Sequence, residues 1–176
     1  MKKKIVLCVI GAILLVVGIS YWWILGQYNA TMYSKANEWI KQEFIYNNAV
    51  CDVTYINKDY NPDVDEWTEK YYSVEDAPKI RTYIIKDEKA FNEIFIENSI
   101  DVNFEKEMVI LFMKRDVCPR DCYLLSISND YNGKLTFKNV HEFYIGGGDT
   151  VMPYPRCIAV KMKKMDITSV EFIDVY

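Results

Sequence analysis

The sequence has little of several things that would define a class of protein. It has only 7 glycines, 5 prolines and one histidine among 176 residues, and it has no excess of positive charge. The low glycine and proline content excludes collagen-like and low-complexity chains, and 51% hydrophobic residues exclude a disordered one. Apart from three lysines at positions 2–4, the chain carries 18 basic and 25 acidic side chains, a net charge of −7. Nucleic acid is therefore not an expected partner.

The N-terminal part contains an uncharged run from residue 5 to residue 26, IVLCVIGAILLVVGISYWWILG. At a rise of 1.5 Å per residue, this run is long enough to cross a hydrocarbon core of about 30 Å. It predicts a transmembrane helix that acts as a signal anchor. Lysines precede the run and none follows before Lys35, so residues 1–4 are expected in the cytoplasm and the rest outside the cell. We thus expect a single-pass protein of the cell membrane whose residues 5–26 contact the lipid bilayer, with aromatic side chains at the outer interface: Tyr21, Trp22, Trp23 and Tyr28.

A cleaved signal peptide is the alternative to a retained anchor. Gly18 and Ser20 supply the small residues of a cleavage site, and residues 1–20 would then be removed. Against this interpretation, the apolar run continues to Leu25. Cys8 follows Leu7 near the start of the run, which is not the setting of a lipid-modified cysteine, and we interpret it as an apolar membrane residue.

The rest of the chain divides into a stalk and a domain. Between residues 27 and 49, apolar side chains recur at spacings of three and four, which predicts an amphipathic stalk helix. Residues 50–176 are expected to form an α+β domain, a small mainly antiparallel sheet with one packed helix that opens at Asp87. Asn132-Gly133 predicts a tight hairpin turn. An acidic, aromatic loop is expected at 57–78, and strands are expected at 51–56, 80–86, 108–113, 123–128, 134–140, 157–163 and 167–175.

The single histidine, His141, is the candidate general base. Together with Cys157 or Cys118 as the nucleophile and Asp149 to orient the ring, it would form the site of a thiol-dependent enzyme. No catalytic signature surrounds these residues, so we assign no catalytic residues, expect no cofactor, and keep this enzyme as an alternative function.

Four cysteines follow the N-terminal segment, namely Cys51, Cys118, Cys122 and Cys157. Outside the cell they are expected to be oxidised. We favour the pairs Cys118–Cys122 and Cys51–Cys157, with unpaired core thiols as the alternative. Cys118 and Cys122 form only half of a zinc site, and the second pair of ligands is missing. No metal is therefore expected at these cysteines.

Acidic and amide side chains alternate between residues 59 and 65, as in the first half of a calcium-binding loop. Val64 stands where such a loop needs glycine for its sharp turn, and Lys70 stands where it needs a bidentate glutamate. A solvated acidic loop is the better interpretation. The glycines at 146–148 lack the helix and the lysine of a phosphate-binding loop, so we interpret them as a connection.

Connections carried by a rigid sheet often serve recognition. Two of them, around residues 115–121 and 141–156, combine charged and aromatic side chains. They contain our candidate partner-binding residues, which are Arg115, Arg120, Asp121, Tyr144, Asp149, Tyr154 and Arg156.

The order of features after residue 80 resembles a known family. The helix from Asp87 is followed by Val102-Asn103-Phe104 and Met108-Val109-Ile110, then by Pro153-Tyr154 before an apolar strand and by Val170-Glu171-Phe172. This order resembles the C-terminal domain of PrcB-type proteins, which are bacterial exported proteins named for a protease-complex subunit. The resemblance covers residues 80–176 and leaves out the segment 118–122. It implies a small non-catalytic α+β module that binds or stabilises another protein outside the cell.

These observations predict a membrane-anchored, extracytoplasmic, non-catalytic protein-binding module. Besides the thiol-dependent enzyme, a structural subunit of an envelope protein complex is an alternative. Co-purification, and not sequence, would separate a subunit from a binding module.

Overall fold

The computed structural model describes residues 10, 13, 15–16, 18–19, 26–50, 54–56, 59, 61, 63–64, 71–73, 76–97, 99–116, 121–142 and 153–175. Within them, no helix has the length and apolar character needed to cross a membrane. This finding overturns the predicted transmembrane signal anchor and the fold class that began with it, although most of residues 5–26 lie outside the described residues. Tyr28 is buried in the domain instead of lying at a membrane interface, and the chain turns directly after it at Asn29, where φ is 46°.

The described elements are mainly β-strands, so the domain is a β-sheet domain and not the α+β domain that we predicted. Its helices are short: a 3-10 helix at Ala36–Trp39, α1 at Gln42–Asn47 and α2 at Glu88–Ile94. The strands are β1 Thr31–Tyr33, β2 Thr54–Ile56, β3 Tyr71–Ser73, β4 Ile80–Ile85, β5 Glu107–Asp116, β6 Cys122–Asn129, β7 Lys134–His141, β8 Tyr154–Lys163 and β9 Ser169–Val175.

The strands form two main sheets and one separate pair. The larger sheet has the order β1-β8-β5-β4 and is antiparallel throughout, whereas β2 and β3 form a separate antiparallel pair. The smaller sheet has the order β6-β7-β9. Its β6-β7 hairpin confirms the predicted turn, in which Gly133 adopts a φ of 77°. Strand β9 runs parallel to β7 because the chain first crosses to the larger sheet through β8.

Strand β5 shows how the layers are stacked. Its residues at 109, 111 and 113 belong to a core shared with the helices, and those at 108, 110 and 112 belong to a second core shared with the smaller sheet. Successive side chains of a strand point to opposite faces, so a central strand covered on both sides is apolar at every position. The uninterrupted run at 108–113 is explained by this position in the middle layer.

Residues 27–49 do not form the single stalk helix that their periodicity predicted. They contain β1, the 3-10 helix and α1, and extended backbone at Ile40 and Lys41 separates the two helices. Ala36 and Ile40 are buried, and Ile40 forms a β-bridge with Phe95. The spacing of three and four therefore reports side chains that pack onto the domain, and the segment belongs to its core.

Helix α2 confirms the start predicted at Asp87. The Asp87 carboxylate accepts a hydrogen bond from the Ala90 amide at 2.8 Å, which caps the helix. Phe91 and Ile94 are buried against the larger sheet, and the backbone becomes extended at Phe95. The helix is shorter than the span from Asp87 to Asn98 that the spacing of its apolar residues predicts.

Candidate functional site

At one end of the domain, the apolar core between the two sheets gives way to polar and charged side chains. Strands β5, β7 and β9 end here, and β6 and β8 begin here. The chain leaves β5 and enters β6 at this end, and it leaves β7 and enters β8 here as well. The residues that flank the two candidate recognition loops therefore lie at this end. We call this region the polar end, and it comprises Lys114, Asp116, Cys122, Asn139, His141, Arg156 and Asp174.

Three polar side chains surround the Asp174 carboxylate at the polar end. Its Oδ2 accepts from the Lys114 ammonium group, its Oδ1 accepts from Asn139 Nδ2 at 2.6 Å, and His141 Nε2 lies 3.2 Å from the same Oδ1. Burial raises the pKa of the Asp174 carboxyl, but the bonds from Lys114 and Asn139 outweigh it and leave the pKa below its ordinary value. The carboxylate is therefore ionised and tightly bound.

Arg156 forms the second charged pair of the polar end. Its side chain is 1% exposed, and Nη1 donates to Asp116 Oδ2 at 2.8 Å while Nε donates to the Ser34 carbonyl at 3.0 Å. Burial lowers the pKa of the Arg156 guanidinium, but the hydrogen bond to Asp116 and the charges of the neighbouring acidic groups together outweigh burial and raise the pKa. Arg156 was predicted to contact a partner, and the structure places it inside the domain, where it joins β8 to β5 and to Ser34.

Asp121 fastens the start of β6 to the segment after β1. Its Oδ1 lies 2.8 Å from Lys35 Nζ and accepts a hydrogen bond of 3.4 Å from Ser34 Oγ. Its carbonyl accepts from the Glu142 amide at 2.8 Å. The bond from Lys35 lowers the pKa of this exposed carboxyl. Asp121 thus ties three chain segments together at the polar end.

The other predicted partner-binding residues divide into two groups. Arg115 is exposed and Tyr154 is half-buried at the adjoining ends of β5 and β8, so the structure brings them close to Asp121 and Arg156. Arg120, Tyr144 and Asp149 lie outside the described residues.

Sequence reasoning missed Lys114, Asp116, Asn139 and Asp174. The available signal was the charged ending, Lys-Arg-Asp, of the apolar run at 108–113, because charges that directly follow a doubly buried strand must find partners.

The two described cysteines, Cys122 and Cys157, are free and buried. Neither of the favoured disulfides is formed, since each required one of them, and the alternative of unpaired core thiols fits; Cys51 and Cys118 lie outside the described residues. Burial raises the pKa of Cys157 to about 12. Burial also raises the pKa of Cys122, although the positive charges of Arg156 and Lys114 act to lower it. Only a thiolate attacks a substrate, so neither thiol is activated for catalysis.

His141 does not lie beside the cysteine first proposed as its nucleophile. It is opposite Cys122 in the β6-β7 ladder, whereas Cys157 faces the other core, beneath the helices. In the described part of the chain, no group of three or more His, Cys, Asp or Glu side chains could hold a metal ion. The charged side chains of the polar end pair with one another, Lys114 with Asp174 and Arg156 with Asp116.

The outer face of the smaller sheet carries exposed apolar side chains beside the polar end. Tyr123 is 54% exposed, Leu125 43% and Val140 36%. Tyr123 and Val140 are direct cross-strand partners, and Val175 stands opposite Val140 on β9. We call Tyr123, Leu125, Val140 and Val175 the outer patch.

Comparisons of the chain with protein-family models, with curated proteins and with solved structures gave no match. The resemblance to the C-terminal domain of PrcB-type proteins therefore stays a prediction.

Proposed function

We propose that this chain is a non-catalytic protein-binding module and that the outer patch is the surface that contacts its partner. The observation that carries the proposal is the joint exposure of Tyr123, Leu125 and Val140 on one face of the sheet. Adjacent exposed apolar side chains of this size mark protein-interaction sites. A tyrosine contributes much contact area and has few torsions to immobilise, which suits it to the centre of such a contact.

The polar end provides a rigid support for this surface. Cys122 precedes Tyr123, His141 follows Val140 and Asp174 precedes Val175, and all three inward-facing neighbours belong to the buried network. A surface whose backbone is already fixed loses little conformational entropy on binding. The ion pairs beneath the outer patch are thus best understood as support for recognition.

The same network favours a binding role over the thiol-dependent enzyme. Lys114 is paired with Asp174, and Arg156 is paired with Asp116. A group that acts as a general base, or as a nucleophile activated by one, has to change its protonation state during the reaction. Asp174 and Arg156 are instead held in their charged forms, and the two described thiols are held in their neutral forms.

A photo-crosslinking experiment tests the proposal in the cells that produce the protein. A benzophenone amino acid is introduced at position 123 of the full chain, and the matched control carries it at position 131, a fully exposed tyrosine in the β6-β7 turn. We expect a discrete protein adduct from position 123 and none from position 131. When the crosslinker is at position 123, the additional substitution Val140→Lys should abolish the adduct, because a charge then occupies the centre of the outer patch.

Other outcomes of this experiment are equally informative. Equal adducts from both positions would show unspecific encounters, and no adduct from position 123 would reject the outer patch as a contact surface. An adduct that survives Val140→Lys would place the contact elsewhere on the domain. A stoichiometric complex purified without crosslinking would favour the alternative role as a structural subunit.

A further inference from the structure

A groove lies on the side of the domain opposite the outer patch, in the layer that the helices form. It runs between α2 and residues 97 and 99–105, which precede β5. We call it the α2 groove. The larger sheet and the smaller sheet both lie between this groove and the outer patch, so a partner in one does not reach the other.

Aromatic side chains form the floor of the α2 groove. Phe91 stacks on Phe95 with a ring-centroid distance of 4.4 Å, and Phe104 packs on Phe91 with a distance of 5.6 Å. Phe91 and Phe95 are buried, whereas Phe104 and Val102 are half-buried. The floor therefore presents apolar surface to the groove at Val102 and Phe104.

The rim of the α2 groove is strongly acidic. Its exposed carboxylates come from Glu88 at the start of α2 and from Glu97, Asp101 and Glu105 along the opposite wall. Among the described residues that line the groove, Lys41 is the single cation, and its ammonium group donates to the Asn92 carbonyl. Among the side chains that line the groove, carboxylates therefore outnumber cations, and this favours a cationic occupant.

The wall opposite α2 is held in place from behind. Lys161 Nζ donates to the Asp101 carbonyl at 3.0 Å, and Lys164 Nζ donates to the Phe104 carbonyl at 2.7 Å. The Asn103 amide donates to Glu107 Oε2 at 2.9 Å. These bonds fix the main chain and leave the acidic side chains of Asp101 and Glu105 exposed, so the groove is formed before anything binds.

We propose that the α2 groove binds a segment of a partner protein in which lysine or arginine side chains alternate with large apolar ones. The cationic groups pair with the acidic rim, and the apolar side chains cover Val102 and Phe104. Charge complementarity selects a basic occupant, and the aromatic floor distinguishes it from a merely polycationic one. This inference is independent of the outer patch, because the two surfaces lie on opposite layers of the domain.

Binding of synthetic peptides to the full chain tests the groove. The probe is a fluorescent, acetylated and amidated octapeptide of alternating lysine and leucine, and its matched controls replace every lysine by glutamate or every leucine by serine. We expect fluorescence anisotropy to detect binding of the lysine-leucine peptide, weaker binding of the lysine-serine peptide and none of the glutamate-leucine peptide. Binding should weaken as salt is raised, because exposed charges are screened.

Two double variants distinguish the groove from the general acidity of the chain. Glu97→Gln with Asp101→Asn removes two rim charges and should raise the Kd about fivefold, from about 0.5 kcal/mol for each exposed pair. Glu43→Gln with Glu142→Gln removes two exposed carboxylates elsewhere and should leave the Kd within about twofold. Tyr123→Ala in the outer patch should leave it unchanged, so failure of one proposal does not imply failure of the other.

Four results would overturn the inference. Absence of binding, or an equal loss of affinity in both double variants, would show that the groove selects nothing. Equal binding of the lysine-serine peptide would show that the acidic side chains alone attract the peptide and that the apolar floor contributes nothing. Concentration-dependent self-association that Glu97→Gln with Asp101→Asn abolishes would assign the groove to a second copy of the chain.

Discussion

Lys114 on β5 and Asp174 on β9 form an ion pair that joins the larger sheet to the smaller one. The side chains are only 10% and 19% exposed, and the Lys114 ammonium group also lies 5.4 Å from the centre of the Phe172 ring. Strand β9 is an edge strand whose ladder partner is β7, so the pair adds a contact across the core. It closes the polar end at the last strand of the described chain.

Replacing Lys114 should destabilise the fold much more than replacing an exposed lysine that also pairs with an acidic side chain of β9. Lys114→Met leaves the Asp174 carboxylate buried without its main counter-charge, and we expect a loss of about 3 kcal/mol in the free energy of unfolding. The matched control is Lys134→Met, whose partner Glu171 also lies on β9 but where both side chains are 44% exposed. This exposed pair is screened by solvent, so Lys134→Met should change the free energy of unfolding far less than Lys114→Met. Urea unfolding of both variants makes the comparison.

The double variant Lys114→Met with Asp174→Asn separates a pair from two independent sites. If the residues interact as the structure shows, the double variant should lose less stability than the two single variants together. Strict additivity would mean that the ion pair contributes nothing to the fold.

The lowered pKa of Asp174 predicts acid sensitivity. In the folded state the carboxylate stays ionised at pH values at which the unfolded chain already binds a proton, so its stabilisation is fully present above the ordinary carboxyl pKa of about 4. It is lost as the pH falls from there through the folded-state pKa. The unfolding free energy of the wild type should therefore fall below about pH 4 more steeply than that of Asp174→Asn. Parallel curves for the two proteins would contradict the assignment.

At the edge of β8, the Asn37 side chain forms hydrogen bonds of the kind that a neighbouring strand would otherwise provide. Strand β1 pairs with β8 only from Ala159 to Lys161, and beyond it the Asn37 side chain accepts from the Cys157 amide at 2.9 Å and donates to the Pro155 carbonyl at 2.6 Å. Asn37→Ala should cost about 2 kcal/mol, because two main-chain groups in a partly buried setting lose their partners. Hydrogen exchange of the Cys157 amide should accelerate in this variant, and Asn37→Asp, which keeps the acceptor, should retain its protection. Unchanged exchange in Asn37→Ala would show that the amide is protected by something else.

The sequence predicts best the elements whose signals are local. The cap at Asp87, the turn at Gly133 and the doubly buried run at 108–113 were all found, since each depends on neighbouring residues alone. The segment 27–49 was misjudged because periodic burial does not reveal breaks in the backbone at Ile40 and Lys41. The parallel pairing of β7 with β9 depends on a crossover that no local pattern contains.

The contacts of the polar end could not be predicted from the sequence. The ends of β5 and β8 were identified as interesting because of Arg115, Asp121, Tyr154 and Arg156, but the burial of Arg156 depends on Asp116 and Ser34, which lie 40 and 122 residues away along the chain. Asp174 meets Lys114 across two sheets, at a sequence separation of 60 residues. Such pairs are set by the topology of the fold, and the spacing of residues in a single sequence does not reveal that topology.

Cys157 should be inert in the folded protein. Burial raises the pKa of its thiol to about 12, and the thiolate is the form that attacks an alkylating reagent. Iodoacetamide at neutral pH should therefore leave Cys157 and Cys122 unlabelled in the native chain and label both in urea, as measured by mass spectrometry of peptides. Because the folded state holds the proton of Cys157, its stability should also fall as the pH rises above the ordinary thiol pKa of about 8.5. Cys157→Ala should lack that alkaline loss. Rapid labelling of either thiol in the native chain would contradict the buried, neutral state, and loss of that labelling in His141→Ala would turn the interpretation back to a thiol-dependent enzyme.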